Sequence, residues 1–136
     1  MDFFTRKSDN YSNTTIINGQ TAKIEFQKID CLSKNSFWVC FGIVEKRKDF
    51  YNSKINLKST GNSGIEGLLW AKSMISEFVK FMKEKMKVEE VIIVVGWDDN
   101  RRRNVYARGL KNLGFYFKNL NITYENRSKK YLYRKF

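Results

Sequence analysis

A chain of 136 residues that is 42% apolar and 15% aromatic has the size of one domain and too much burial potential to stay disordered, which excludes a polar tether or multidomain array. With 26 Lys and Arg against 14 Asp and Glu its formal charge is +12; it has no histidine and only two cysteines, Cys31 and Cys40, so zinc sites and histidine-assisted nucleophiles lack their ligands and bases. The start Met-Asp-Phe-Phe-Thr-Arg does not read as a secretory signal and no eighteen-residue apolar run occurs, so a cytoplasmic protein without a membrane or metal partner is expected, its thiols reduced although the two could face each other across a hairpin.

In chain order, residues 1–12 are mostly polar and are expected to fray. Thr14–Ile17 and Thr21–Ile29 flank Asn18-Gly19, the dipeptide that best tolerates a type I′ turn, which predicts a hairpin. Ser36–Val44, dense in aromatic and β-branched residues, predicts a central strand, and the alternation of Lys54–Lys58 predicts another. From Ile65 the spacing changes to threes and fours. Ile65, Leu68, Leu69, Ile75, Phe78, Val79 and Met82 are expected on one face of a helix reaching about Met86.

Val91–Val95 is apolar without alternation, as in a strand covered on both faces, and the preceding helix implies a parallel crossover. Asp98, Asp99 or Asn100 can cap a second helix and Gly114 can close it. Phe115–Phe117 and Tyr131–Tyr133 predict the last two strands, with Glu125–Lys130 as a polar connection. The expectation is a single α/β (α+β) domain over 1–136, with a mixed, largely antiparallel sheet and the order β-β-β-β-α-β-α-β-β.

Residues 1–68 carry ten basic and seven acidic side chains, residues 69–136 sixteen and seven. The C-terminal excess suits a phosphate-bearing ligand or polyanion. A skewed codon composition would produce the same abundance of Lys, Asn, Ile, Tyr and Phe.

The element order, the glycine-rich segment Ser59-Thr60-Gly61-Asn62-Ser63-Gly64-Ile65-Glu66-Gly67 before the first helix, and Leu113-Gly114-Phe115 ending the second together resemble the GNAT acyl-CoA N-acyltransferases from about Ser36 to Phe136. A hairpin would then replace the paired N-terminal helices of that family. The resemblance implies acetyl-CoA as cofactor and an amine as acceptor. Its pyrophosphate would lie on the backbone of Gly61, Asn62, Ser63, Gly64 and Gly67, where a helix N-terminus favours an anion. The family's basic residue in this loop is missing, and Glu66 would bring a carboxylate toward the diphosphate. In the family a tyrosine four residues before the glycine of Leu-Gly-Phe protonates the departing thiolate. Leu110 stands there, and Tyr106 lies one helical turn earlier. Asp98 and Asp99, at the carboxyl end of the buried strand, are candidate general bases or helix caps, and Glu45 is a third carboxylate.

A second reading keeps the fold as a catalytically inactive scaffold, of phage or mobile-element origin, that binds protein or nucleic acid through its basic C-terminal half. Arg101, Arg102, Arg103, Lys129, Lys130 and Arg134 would then form a patch interleaved with Tyr131 and Tyr133, neutralising phosphates and stacking bases. No nucleic-acid motif accompanies the patch.

Overall fold

The computed structural model describes residues 4–30, 32, 35–44, 63–96, 100–122 and 128–136. Seven strands and two helices follow one another as β1 (Thr5–Lys7), β2 (Asn10–Ile17), β3 (Gln20–Lys28), β4 (Ser36–Val44), α1 (Ser63–Glu84), β5 (Ile92–Val95), α2 (Asn100–Leu110), β6 (Tyr116–Leu120) and β7 (Lys129–Lys135). They form one sheet in the order β1-β2-β3-β4-β5-β7-β6. Among the described strands only β4 and β5 pair in parallel, with Ser36 opposite Ile92 and Val39 opposite Val95; the other neighbours are antiparallel. The fold is thus a mixed α+β sheet protein, as its sequence implies.

β2 to β7 and the two helices follow one another as expected, and β1 stands before them as an added strand. The expected strand over 54–58 lies outside the described residues. At the N-terminus, where fraying is expected, β1 and the start of β2 are paired, Thr5 with Ser12 and Lys7 with Asn10. The cause is burial. Phe4 and Tyr11 are 3% and 4% exposed. Phe4 meets Phe26, Phe78 and Phe81 at ring centroid distances of 5.5 to 5.9 Å, and Tyr11 meets Phe78 and Phe81 at 5.4 and 5.6 Å. Two fully buried aromatics contribute roughly 1.5–3 kcal/mol each, enough to offset ordering of a short strand.

The Asn18-Gly19 hairpin forms as its residues require, with φ of 49° and 79°, both central residues left-handed as a type I′ turn demands. In α1 the buried stripe is Ala71, Met74, Ile75, Phe78, Val79 and Met82. Leu69, expected within it, is 61% exposed, because it lies six positions before Ile75 and so about 120° round the helix. α2 passes into a 3-10 turn over Lys111–Leu113, and Gly114 closes it with φ 84°, its N–H donating to the Lys111 carbonyl. This is the glycine stop expected from the sequence. Lys129 and Lys130, expected in a connection, are the first residues of β7, opposite Leu120 and Asn119.

The sheet has unequal faces. Against one lie α1 and α2, whose side chains share a core with Ile24, Phe26, Phe37, Val39, Ile93, Val95 and Leu132. The other carries a smaller cluster of Ile29, Ile92, Val94, Leu120, Tyr131 and Tyr133, flanked by Leu32, Trp38 and Ile122; among the described residues no helix contributes to it. Phe78 is the hub of the first core, stacked on Phe26 at 4.0 Å with an 8° interplanar angle. Phe78→Ala is expected to lower the unfolding free energy by about 3–5 kcal/mol, the usual cost of a large aromatic cavity. Urea denaturation followed by circular dichroism measures it, and a loss below about 1 kcal/mol would show that α1 is held otherwise.

Candidate functional site

β5 is short, and its neighbours outrun it. It stops at Val95, opposite Val39 of β4 and Leu132 of β7; β4 continues through Cys40–Val44, while β7 already contains Lys129–Tyr131 on the far side. Among the described residues the sheet ladder therefore has a notch beyond the carboxyl end of β5, where β4 and β7 run on with no described strand paired between them. Among the described residues, no strand pairs with Cys40–Val44 on the β5 side, and their only ladder is to Thr21–Glu25 of β3. A parallel junction at the carboxyl ends of its strands is where open α/β sheets bind ligands.

The start of α1 is tied to the same end. The β2–β3 turn lies beside the end of β4, since Thr21 pairs with Val44. From that turn the Asn18 side-chain amide donates to Glu66 Oε2 at 3.2 Å. The carboxylate in the first turn of α1 thus engages the hairpin. Ser63 and Gly64 occupy the first two positions of α1, where backbone N–H groups lack partners within the helix. Gly67, expected to join them, lies further in and is buried; its N–H belongs to the i→i−4 ladder, so it is not among the free donors. Gly61 and Asn62 lie outside the described residues, as do Asp98, Asp99 and Glu45.

On α2, Arg103, Tyr106, Ala107 and Leu110 share one stripe, and Asn104, Val105 and Arg108 face outward. Tyr106 is half-buried and packs on the helix-side core, where Leu110 is 2% exposed. The position that a family tyrosine would fill is therefore closed core, and Tyr106 is the tyrosine that α2 presents. Gly109 lets the helices touch, because a Cβ there would lie 2.9 Å from Leu68 Cδ2.

The floor of the notch on the helix-free face is an aromatic bridge. The Trp38 indole reaches from β4 across β5 to Tyr131 of β7, with ring centroids 5.3 Å apart at 78°. It crosses directly over Gly96, where an added Cβ would lie 2.6 Å from Trp38 Cη2. The Gly that ends the apolar run Val91–Val95 is the sequence signal for this close approach.

Next to Trp38 on the same face, Cys40 pairs with Glu25. Burial, with the Glu25 carboxylate adding to it, pushes the thiol up to about 11, although a hydrogen bond with the Trp38 side chain works the other way. Glu25 itself accepts from Gln27 Nε2 at 3.0 Å and lies 3.8 Å from Lys23 Nζ. Cys40 is thus a protonated, inert thiol at neutral pH and not a nucleophile.

Of the six basic residues of the polyanion reading, the four whose side chains are described are divided between the two faces of the sheet. Arg101 and Arg102 lie in the first turn of α2. Arg103 stacks its guanidinium over Phe117 at 4.6 Å. Successive strand residues alternate faces, so Lys130 and Arg134 lie on the helix-bearing face with Leu132, whereas Lys129 lies on the other, 5.8 Å over the Tyr131 ring. Arg134 is half-buried above the Phe136 ring, its guanidinium against Gly114 and its Nε buried without a hydrogen-bond partner. A cation there also faces the carbonyl end of α2, where its charge is favourable. Among the described residues no cluster of three or more His, Cys, Asp or Glu could hold a metal, and no helix is long and apolar enough to cross a membrane.

Compared with known proteins, the chain matches no family model, no curated protein and no solved structure. The ladder notch and the start of α1 tied to the same end define the site on geometry alone.

Two measurements probe this site. Gly96→Ala is expected to cost about 1–3 kcal/mol through overpacking, with Trp38→Phe added to the same chain recovering part of it; unchanged stability on urea denaturation would mean that the indole does not cross β5. In a Cys31→Ser background, alkylation of Cys40 at pH 8 should be slow, since only about a thousandth of a thiol with a pKa near 11 is ionised, and it should climb tenfold per pH unit until the pKa is reached. Glu25→Gln removes a like charge from the thiolate, lowers the pKa and speeds alkylation. An iodoacetamide rate that levels off near pH 8.5 would contradict this environment.

Proposed function

We propose that this protein binds an acyl-CoA thioester at the carboxyl ends of β4 and β5 and acts as an N-acyltransferase of the GNAT kind, passing acetyl from acetyl-CoA to an amine. The observation that carries this reading is the notch above β5 with the first turn of α1 tied beside it by the Asn18–Glu66 hydrogen bond. An extended ligand with amide groups, such as the pantetheine arm, can pair with Cys40–Val44, which no described strand pairs on the β5 side. Its pyrophosphate then meets the N–H groups of Ser63 and Gly64, which have no partner within the helix, and the positive end of α1. The tether on Glu66 fixes the single first-turn carboxylate, and the excess positive charge of the C-terminal half favours the anionic ligand.

In the transfer, the acceptor amine attacks the thioester carbonyl carbon, the C–N bond forms, and the C–S bond breaks to release CoA. The amine loses a proton and the leaving sulfur gains one. Tyr106 is our candidate for the acid at the sulfur, provided that the ligand sits about 6 Å further along α2 than a tyrosine at position 110 would require. Asp98 and Asp99 are the candidate bases, being the carboxylates that follow β5 in sequence.

Isothermal titration with acetyl-CoA and CoA tests the reading, with Kd values below about 1 mM expected, the upper range of enzyme affinities for their substrates. Absence of heat at millimolar ligand would overturn it. Binding without acetyl transfer to a panel of small amines and lysine peptides would leave the inactive scaffold. Glu66→Gln should tighten CoA by about two- to fivefold, because a like charge near the diphosphate is removed. Asn18→Ala, which releases that carboxylate from its tether, should weaken it.

A further inference from the structure

The C-terminal edge of the sheet is basic, and no described strand covers it. β6 ends the strand order, pairing with β7 alone among the described strands, and the four residues Tyr116–Asn119 are exposed. The opposite edge, β1, is blunted: it is three residues long, and its central Arg6 is held by Asp9 at 3.7 Å. Short charged edges discourage strand addition. β6 instead shows Tyr116 on one face and Phe117 on the other, 51% and 39% exposed.

The charge around this edge is predominantly positive, with Lys135 at the end of β7 paired to Glu90 at 3.3 Å. Residues 100–136 contain eleven basic side chains and one acidic, Glu125. Lys118, Lys129 and Lys130 are exposed and form no ion pair among the described residues. The ammonium groups of Lys118 and Lys129 lie over the rings of Tyr133 and Tyr131 at 4.4 and 5.8 Å.

We propose that β6 docks an extended acidic polypeptide segment as an added strand. A strand edge offers alternating N–H donors and C=O acceptors, and another polypeptide backbone matches both. Phosphate oxygens match only the donors, so a polypeptide backbone fits this edge better than a nucleic-acid backbone does. A second copy of this chain would bring two basic edges together, so charge complementarity favours an acidic partner over self-association. The side chains fix its pattern further. Consecutive apolar residues of the added strand would pack beside Tyr116 and Phe117, on opposite faces. Carboxylates following them would meet Lys118 on one face and Lys130 on the other. This docking surface does not depend on acyl-CoA binding.

The test uses the full chain and the probe Ac-Glu-Glu-Ile-Val-Glu-Glu-amide, with the same peptide N-methylated at alternate residues, a Lys-for-Glu version, and a twelve-residue oligothymidylate as controls. Amide hydrogen exchange across Tyr116–Leu120 should slow about tenfold or more with the acidic peptide, and with neither peptide control. Fluorescence anisotropy should show Lys118→Glu and Lys130→Glu each weakening the acidic peptide about fivefold or more. Unchanged exchange at β6 with millimolar peptide would overturn the proposal. So would equal affinity for the N-methylated peptide, since charge alone would then explain binding, or β6 protection by the oligonucleotide in preference to the peptide. Light scattering that shows a dimer with β6 already protected in the unliganded protein would assign the edge to self-association. Should a charge-reversal variant fail to fold, the exchange measurement on the unaltered protein still decides the matter.

Discussion

Contact between Phe78 and the rings around it is the interaction on which the rest of the structure depends. Phe26 lies parallel to it, while Phe4, Tyr11 and Phe37 approach it at steeper angles. These rings come from the N-terminal segment and from β2, β3 and β4, so one side chain of α1 gathers the whole N-terminal half of the sheet. Aromatic contacts of this geometry add to the burial energy and restrict orientation, unlike an aliphatic contact of equal area. The axis of α1 is set by them. Because α1 is fixed at Phe78, its first turn comes to the β2–β3 hairpin, where Asn18 reaches Glu66.

The two faces of the sheet divide the chemistry. The helix-bearing face is closed by α1 and α2 and holds the large core. On the other face Trp38, Tyr131 and Tyr133 form a second apolar layer edged by Cys40, Glu25 and Lys118. The glycines mark where backbone and side chain come closest: Gly96 under the Trp38 indole, and Gly109 against Leu68 between the helices. Each serves packing. At Gly114 two demands coincide, a left-handed φ and a guanidinium that would press on any Cβ at 3.2 Å.

Local chemistry made much of the fold legible in advance. The Asn18-Gly19 turn, β4, α1 and the stop at Gly114 each depend on residues within a few positions of one another. Phe4 and Tyr11 were illegible for the opposite reason, since their order comes from Phe78 and Phe81, more than sixty positions away in the chain. Leu69 fell outside its expected stripe because counting threes and fours does not fix which arc of a helix is centred on the core. Lys129 and Lys130 read as connection by composition, yet an edge hairpin tolerates lysines because their side chains reach water on either face. At the site, the sequence singled out Tyr106, Ser63 and Gly64 but not the notch, which arises from β5 being shorter than its neighbours. Asp98, Asp99, Gly61 and Asn62 lie outside the described residues.

The parallel seam between β4 and β5 also shapes how the chain reaches this structure. β2–β3 partners are 3 to 15 residues apart, and β3–β4 partners 9 to 23, whereas the residues paired across the seam are 56 apart throughout. The N-terminal meander can zip from its turns, but the seam must wait for α1 to be carried across, with its loop-closure entropy unrewarded until Phe78 docks. Four residue pairs then hold two halves of a seven-stranded sheet together along the line where the notch opens. A ligand lodged there would contact both halves and have little affinity for the unfolded chain. Occupancy would therefore raise the cooperativity of unfolding as well as its midpoint, by mass action.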